Sequence, residues 1–366
     1  MNTEGINMEL DNNNGTVNMT NAGDVTSNNH VVIVNNNGLG YEDVKKICAD
    51  IIKEELSKYT DEAKSIALER QNKLINSIVE KLKEEQISNE YMLDEFKNPD
   101  MQYCYFAAQK AYIRNGTDEL ESILSRLIVD RAKEANHTLL QIALNEAVEV
   151  SNLLLPEQYK ILALVFILRY TNFGLSNDDE LKTFCNGILS IMQDIPKKHS
   201  IYQHIVYSKC ASIDVGELPI IKVFGNAYRK LFIKKVSRKD LISIRNNYET
   251  ILVDKYPELF LKCKEDNEML YIDFENNKEL QKKLDKLNVI ESERSQINNL
   301  IENKFTMNDS EIKQKILSLV PQFDKIFDGW ENSTIKHLSL TSVGIVLAAT
   351  YIKQNMDAEI DMSIWI

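Results

Sequence analysis

The chain has 366 residues, 43 Lys plus Arg against 55 Asp plus Glu, a net charge of −12 and 43% hydrophobic residues. That acidity disfavours non-specific binding to a phosphate backbone, whose affinity comes from Lys and Arg, while the apolar content is ample for at least one sizeable core. Only 12 Gly and 6 Pro are present, under half their usual share of about 12%, so turn-rich β-sandwiches and barrels are disfavoured and a mainly all-α helical bundle is expected.

Residues 1–40 form a separate compositional unit. Twelve of the first 37 residues are Asn, and no Lys or Arg precedes Lys45. Asn favours turns and left-handed backbone, and the strand-like islands are Thr16-Val17, Val25-Thr26 and His30 to Val34. Two readings follow: a disordered low-complexity leader, or one in which residues 31–34, Val31-Val-Ile-Val34, form a strand. An isolated strand is marginal in water, so the second reading implies a homo-oligomer paired through residues 31–34. The leader also lacks the basic and apolar regions of a signal peptide. Cys48, Cys104, Cys185, Cys210 and Cys263 show no CxxC spacing and read as reduced intracellular thiols. The longest apolar run, Ile161–Leu168, has eight residues where a membrane span needs ~20. A cytoplasmic protein without membrane contact is expected.

Helical periodicity begins after Gly38-Leu-Gly-Tyr41. Val44, Ile47, Cys48, Ile51, Ile52 and Leu56 recur at three- and four-residue spacings up to about residue 58. A second stripe from Asp61, with Leu74, Ile75, Ile78, Val79 and Leu82, predicts a long helix that could reach Phe96. Asn98-Pro99 then restarts the chain as a cap followed by a first-turn Pro. Helices are predicted at about 100–114, 117–135, 138–154, 157–171, 177–193 and 200–212, and Ile161–Leu168, apolar all round, should be the buried central one. From Asp214 the pattern is less regular. A short strand is predicted at Tyr271–Phe274, and one charged, arm-like helix at Asn277–Asn303. An amphipathic helix around Asp309–Phe327 and a turn at Asp328-Gly-Trp330 come next. Leu340-Thr-x-x-Gly344 and an apolar helix follow, resembling the end of a winged-helix domain. Lys313, Lys315 and Lys325 are offset there by Glu311 and Asp324, so a protein-contact version is favoured over groove binding. The apolar Ile364, Trp365 and Ile366 should be docked.

Candidate chemistry is sparse. His199 and His204 are about 140° apart round a helix and share no ligand face. Glu134 and His137 match the Glu-x-x-His spacing of di-iron bundles, but a second such pair is missing. Cys210 lies six residues after His204 without a nucleophile elbow, and no Walker loop, Gly-x-Gly-x-x-Gly or His-Glu-x-x-His occurs. No catalytic residue, metal site or cofactor is therefore assigned. The polar residues most notable beside apolar stripes are Arg131, Asn145 and Glu146. A buried polar group must be hydrogen-bonded and a buried charge paired, so an Arg131–Glu146 pair tying two adjacent helices is expected.

Gly38-Leu-Gly-Tyr-Glu-Asp-Val-Lys45, Asn145-Glu-Ala-Val-Glu149, Lys209-Cys-Ala-Ser-Ile-Asp-Val-Gly216, Leu340-Thr-Ser-Val-Gly344 and Ser363-Ile-Trp-Ile366 together resemble an uncharacterised bacterial family of cytosolic helical proteins. The resemblance spans most of the chain, brings no catalytic residues, and associates it with accessory genes of the phage-defence kind. The expected organisation is an Asn-rich leader (1–40), an N-terminal helical domain (41–213) and a C-terminal helical domain with a winged-helix-like end (214–366). The leading functional expectation is a non-enzymatic interaction or regulatory protein that oligomerises through its leader. The alternatives are a nucleic-acid-binding regulator using the winged-helix-like segment, and a hydrolase or nuclease with a dispersed acidic site.

Overall fold

The computed structural model describes residues 39–85, 90–134, 137–242, 248–263, 266, 268–274, 277–356, 358 and 360–366. Among them are eighteen α-helices and five strands of two or three residues, so the fold is mainly all-α. Residues 31–34, expected as a strand, lie outside the described residues.

The first helices, α1 (Tyr41–Ile51), α2 (Lys53–Leu56) and α3 (Asp61–Glu84), follow the predicted stripes and bury Val44, Cys48, Leu74, Ile78 and Leu82. Instead of one helix to Phe96, α3 ends at Glu84, and α4 (Glu90–Asp94) and a 3-10 turn at Glu95–Lys97 come later. Asn98 caps α5 (Pro99–Asn115) by accepting the Asp100 amide at 3.0 Å. Pro99 occupies the first turn, where its missing N–H has no partner to lose. Gly116, at φ 73°, closes α5 in the left-handed conformation that Gly adopts without a Cβ clash.

Four further helices, α6 (Asp118–Lys133), α7 (Leu139–Ser151), α8 (Pro156–Arg169) and α9 (Asp178–Ile191), match the predicted order, and α8 buries every residue from Ile161 to Leu168. The helix expected through residue 212 is shorter. α10 (His199–Tyr207) stops before Lys209, which adopts φ 60°, and Ala211–Ile213 forms β1.

Past α11 (Ile220–Ala227) the chain runs through β2 (Val236–Ser237), α12 (Arg238–Ile242), α13 (Tyr248–Lys255), β3 (Leu261–Lys262) and β4 (Met269–Tyr271). β4 is the middle strand, antiparallel to both β2 and β3. The arm-like helix predicted at Asn277–Asn303 is instead two helices, α14 (Asn277–Lys286) and α15 (Glu291–Leu300), with a π turn at Ile301–Phe305. Asn288 at φ 51° separates them, a conformation Asn tolerates better than most residues. Their apolar sides are buried rather than extended along an arm.

The last elements are α16 (Asp309–Leu319), α17 (Asp324–Glu331), β5 (Leu338–Leu340) and α18 (Ser342–Met356). Asp328-Gly-Trp330 continues α17 rather than forming a turn. Ile195 packs so tightly there that a Cβ on Gly329 would lie 2.6 Å from Ile195 Cβ.

Two main cores result, and they do not follow a 213/214 boundary. The larger runs from Val44 to Phe232 and resumes from Ile312 to Met362. The smaller spans Val236 to Phe305. Ile233 and Thr306 form an antiparallel bridge between them, with Lys234 N donating to Phe305 O at 2.7 Å and Met307 N to Phe232 O at 2.8 Å. Residues 233–306 are thus a lobe inserted into the larger unit, entering and leaving through backbone paired at a single bridge.

The C-terminal segment also departs from the winged-helix expectation. β5 pairs antiparallel with the distant β1, Ser339 opposite Ser212, instead of forming a local wing. α18 is buried continuously from Val343 to Ile352. The apolar terminus docks through Trp365, whose indole Nε1 donates to Tyr170 O at 2.9 Å and whose ring meets Phe166 edge-on at 4.9 Å, and through Ile366. Ile364, expected to be docked with them, is instead 71% exposed, since the 3-10 turn at Met362–Ile364 points it away from the core. Among the described residues, no helix is long and apolar enough to cross a membrane.

At Gly344, α18 passes close to the backbone just before β1, since a Cβ there would sit 1.9 Å from Cys210 O. Backbone cannot yield as a flexible side chain can, so Gly344→Ala should destabilise by about 1–3 kcal/mol. An unchanged urea midpoint would contradict this packing.

Candidate functional site

Arg131 sits near the end of α6, fully buried. Its guanidinium is satisfied from four directions. Nε donates to Asn145 Oδ1 at 2.9 Å on α7, and Nη2 to Asp100 Oδ2 at 2.6 Å on α5. Nη1 donates to Glu134 O at 3.0 Å and to Glu95 Oε1 at 3.3 Å. Asn145 Nδ2 completes the circuit by donating to the same Asp100 oxygen at 3.0 Å. A planar, permanently charged fork suits such convergent partners better than a point charge would. The Arg131 guanidinium, then Asn145, holds the Asp100 carboxyl below its ordinary range.

Asn145 therefore joins Arg131 as expected, but Glu146 does not. Its carboxylate meets Lys209 Nζ at 3.3 Å, a solvent-exposed pair. One position along a helix rotates a side chain by about 100°, enough to turn Glu146 away from the cluster that holds Asn145. The acids that neutralise Arg131 are Glu95 and Asp100, which precede it by 36 and 31 residues. Glu134 contributes its backbone carbonyl rather than a ligand carboxylate. Among the described residues, no group of three or more His, Cys, Asp or Glu is arranged to hold a metal ion.

The thiols are buried. Burial pushes the pKa values of Cys48, Cys104, Cys185 and Cys210 up to about 12, so these remain protonated at neutral pH. Cys210 Sγ donates to Ser208 O at 3.2 Å, while His204 Nδ1 engages Gln158 Oε1 at 3.1 Å. That arrangement anchors α10 to α8 and does not activate a nucleophile.

An open cleft of about 530 Å³ lies where α8, α9 and the end of α18 meet. Ile167, Ile188 and Met356 form its apolar floor with Phe184, while Phe173 and Leu175 approach from the loop between α8 and α9. Gly187 opens the floor by leaving out a side chain; a Cβ there would lie 3.6 Å from Met356 Cε. Phe173 is 54% exposed yet packs on Phe184 at 5.2 Å, which leans edge-on against Tyr228 and Phe224. Gly174 at φ 60° shapes the loop, its amide donating to Asn172 Oδ1 at 3.0 Å. Asp179 and Glu180, in the first turn of α9, supply the acidic rim. The helices predicted at about 157–171 and 177–193 leave Phe173 and Leu175 in an unassigned connection, so the cleft was not expected. Phe173 and Leu175 on either side of a Gly were the available signal.

Fold and site define a helical scaffold with an inserted lobe, a buried arginine cluster and an apolar cleft. A protein-family model matches residues 38–366, and the chain belongs to that family, whose description names no activity. The match begins where helical periodicity begins. No curated protein and no solved structure gives a significant match.

Replacing Arg131 by Met would leave Glu95 and Asp100 without their common cation, a loss of about 3–5 kcal/mol for a broken buried pair. Glu146→Gln removes only an exposed pair and should cost under about 1 kcal/mol. Because the Asp100 pKa is lowered on folding, its contribution is present above the unfolded pKa and lost as pH falls through the folded one. The stability gap between wild type and Arg131→Met should therefore narrow in acid. Equal losses in the two variants, measured by urea unfolding, would refute this assignment.

Proposed function

We propose that the protein is a cytoplasmic, non-enzymatic interaction or regulatory protein whose contact surface is the α8–α9 cleft and whose copies associate through leader residues 31–34. The observation that carries this reading is the cleft, at about 530 Å³ and lined mainly by aromatic and aliphatic side chains. Ligand and anchor sites are typically concave, predominantly apolar and about 300–1,000 Å³, with a few polar groups that orient the guest. Phe173 is held half-exposed at the entrance, which provides the aromatic contact that binding surfaces favour. A sensor or effector role in phage defence is the setting suggested by the family resemblance, and plaque counts on cells with and without the protein test it.

The other readings draw less support. A nucleic-acid role would draw on the lysines that precede the C-terminal segment, Lys313 and Lys315 on α16 and Lys325 on α17. Lys313 and Lys315 are engaged by Asp324 and Asp178 at 2.9 and 2.8 Å. A hydrolase reading would have to draw on carboxylates, since the four most strongly shifted thiols stay protonated.

Two measurements test the reading. Nile red should gain blue-shifted emission on the wild-type protein and lose it on Gly187→Trp, which fills the cleft; equal emission would remove the cleft as a binding surface. Light scattering should show a lower mass for a chain lacking residues 1–37 than for the full chain. An unchanged mass would remove the leader as the means of association.

A further inference from the structure

The cleft has a sign as well as a shape. α9 opens with Asp178, Asp179 and Glu180. Asp178 is engaged by Lys315 at 2.8 Å. Glu180 is fixed by the Ser176 amide at 2.7 Å and by Asn177 Nδ2 at 2.7 Å, and these donors, with the Ser176 hydroxyl, keep its carboxyl below the ordinary range and charged at neutral pH. Asp179 is exposed and, among the described residues, has no ion-pair partner. Lys182, the basic residue of α9, does not line the cleft. The apolar floor is thus bordered on its α9 side by two carboxylates, Asp179 and Glu180, that the helix terminus does not consume: the α9 amides are already capped by Asn177, whose Oδ1 accepts Glu180 N at 2.9 Å.

Charge selects among the occupants that an apolar cleft admits. The chain's own leader carries Glu4, Glu9, Asp11 and Asp24 and no base before Lys45, so it would be repelled from this rim. A second copy of a chain of net charge −12 meets the same opposition on approach. A guest with an apolar face and flanking Lys or Arg satisfies both halves of the surface, and opposite charges at a rim raise association rate and exclude wrong partners. Helix-in-groove recognition is the mode in which one short segment offers both.

We propose that the cleft receives a basic amphipathic segment of a partner protein, its apolar side chains on Phe173, Phe184, Ile188 and Met356 and its cations at Asp179 and Glu180. This rests on the reading of the cleft as the contact surface. The test uses the full chain and a fluorescein-labelled peptide of Leu and Lys patterned as an amphipathic helix, with a Leu/Glu peptide of the same pattern and a scrambled Leu/Lys peptide as comparisons. Anisotropy should show the Leu/Lys helix binding at least about ten-fold more tightly than either comparison, a difference of 1.4 kcal/mol. Asp179→Lys should weaken it, and Gly187→Trp should abolish it. Thr183→Trp, an exposed α9 position at the cleft, supplies a second filling variant should Gly187→Trp melt early. If Leu/Lys and Leu/Glu bind alike and both are lost on filling, the cleft stands and its charge preference is overturned. If the scrambled peptide matches the patterned one, or binding survives both filling variants, the cleft itself is not the site. Absence of binding by every peptide overturns the proposal.

Discussion

The mutual burial of α8 and α18 is the constraint on which the rest of the structure depends. Both are apolar on every face: α8 from Ile161 to Leu168, α18 from Val343 to Ile352. A helix without a polar side has no stable position at a surface, so the other helices must wrap this pair. Each buried Val, Leu or Ile contributes about 1.5–3 kcal/mol. Ion pairing is secondary: Lys353 of α18 reaches the buried Asp130 of α6 at 3.5 Å, and the desolvation of such a pair offsets much of its attraction. Its effect is to orient α18 against α6, while apolar burial supplies the stability. The Arg131 cluster does for α5, α6 and α7 what Lys353 does for α18, with more hydrogen bonds.

Closing the core with the end of the chain has two consequences. Residues 233–306 cannot belong to that core and form their own, connected through the Ile233–Thr306 bridge and clamped by Arg229 on Asn277 and Glu302. The site where α18 ends against α9 is also where packing is incomplete. Gly187 supplies no side chain, Phe173 stays partly outside, and a cleft remains between otherwise filled helices. The proposed contact surface is thus a by-product of how the last helix terminates.

Much of the local structure was legible because its causes are local. Asn98-Pro99, Gly116, Thr138 and Asn177 mark helix boundaries by capping chemistry that acts over a few residues. The eight-residue apolar run announced a buried helix. What failed depends on which faces meet. Arg131 had to have an acid, and helical spacing shows that it faces inward, but it does not show that Asp100 of α5 faces it while Glu146 of the next helix does not. The same limit hid the partner of β5, which is β1 more than a hundred residues earlier, and turned a buried C-terminal helix into a winged-helix expectation. The charged stretch 277–303 misled for a different reason: its apolar repeat falters at Glu291 and Arg294, which is compatible with one surface helix, whereas the chain turns just before them at Asn288. The cleft was invisible because it is made by a missing side chain, Gly187, meeting a loop aromatic and a methionine from the far end of the chain.

Native-state hydrogen exchange followed by mass spectrometry tests the shared core most directly. Amides of α8 and α18 should exchange together at the slowest rate in the protein, through global unfolding, with the inserted lobe opening at lower free energy. Exchange of α18 well ahead of α8 would contradict a single core and would make the C-terminal helix an appendage of a bundle complete without it.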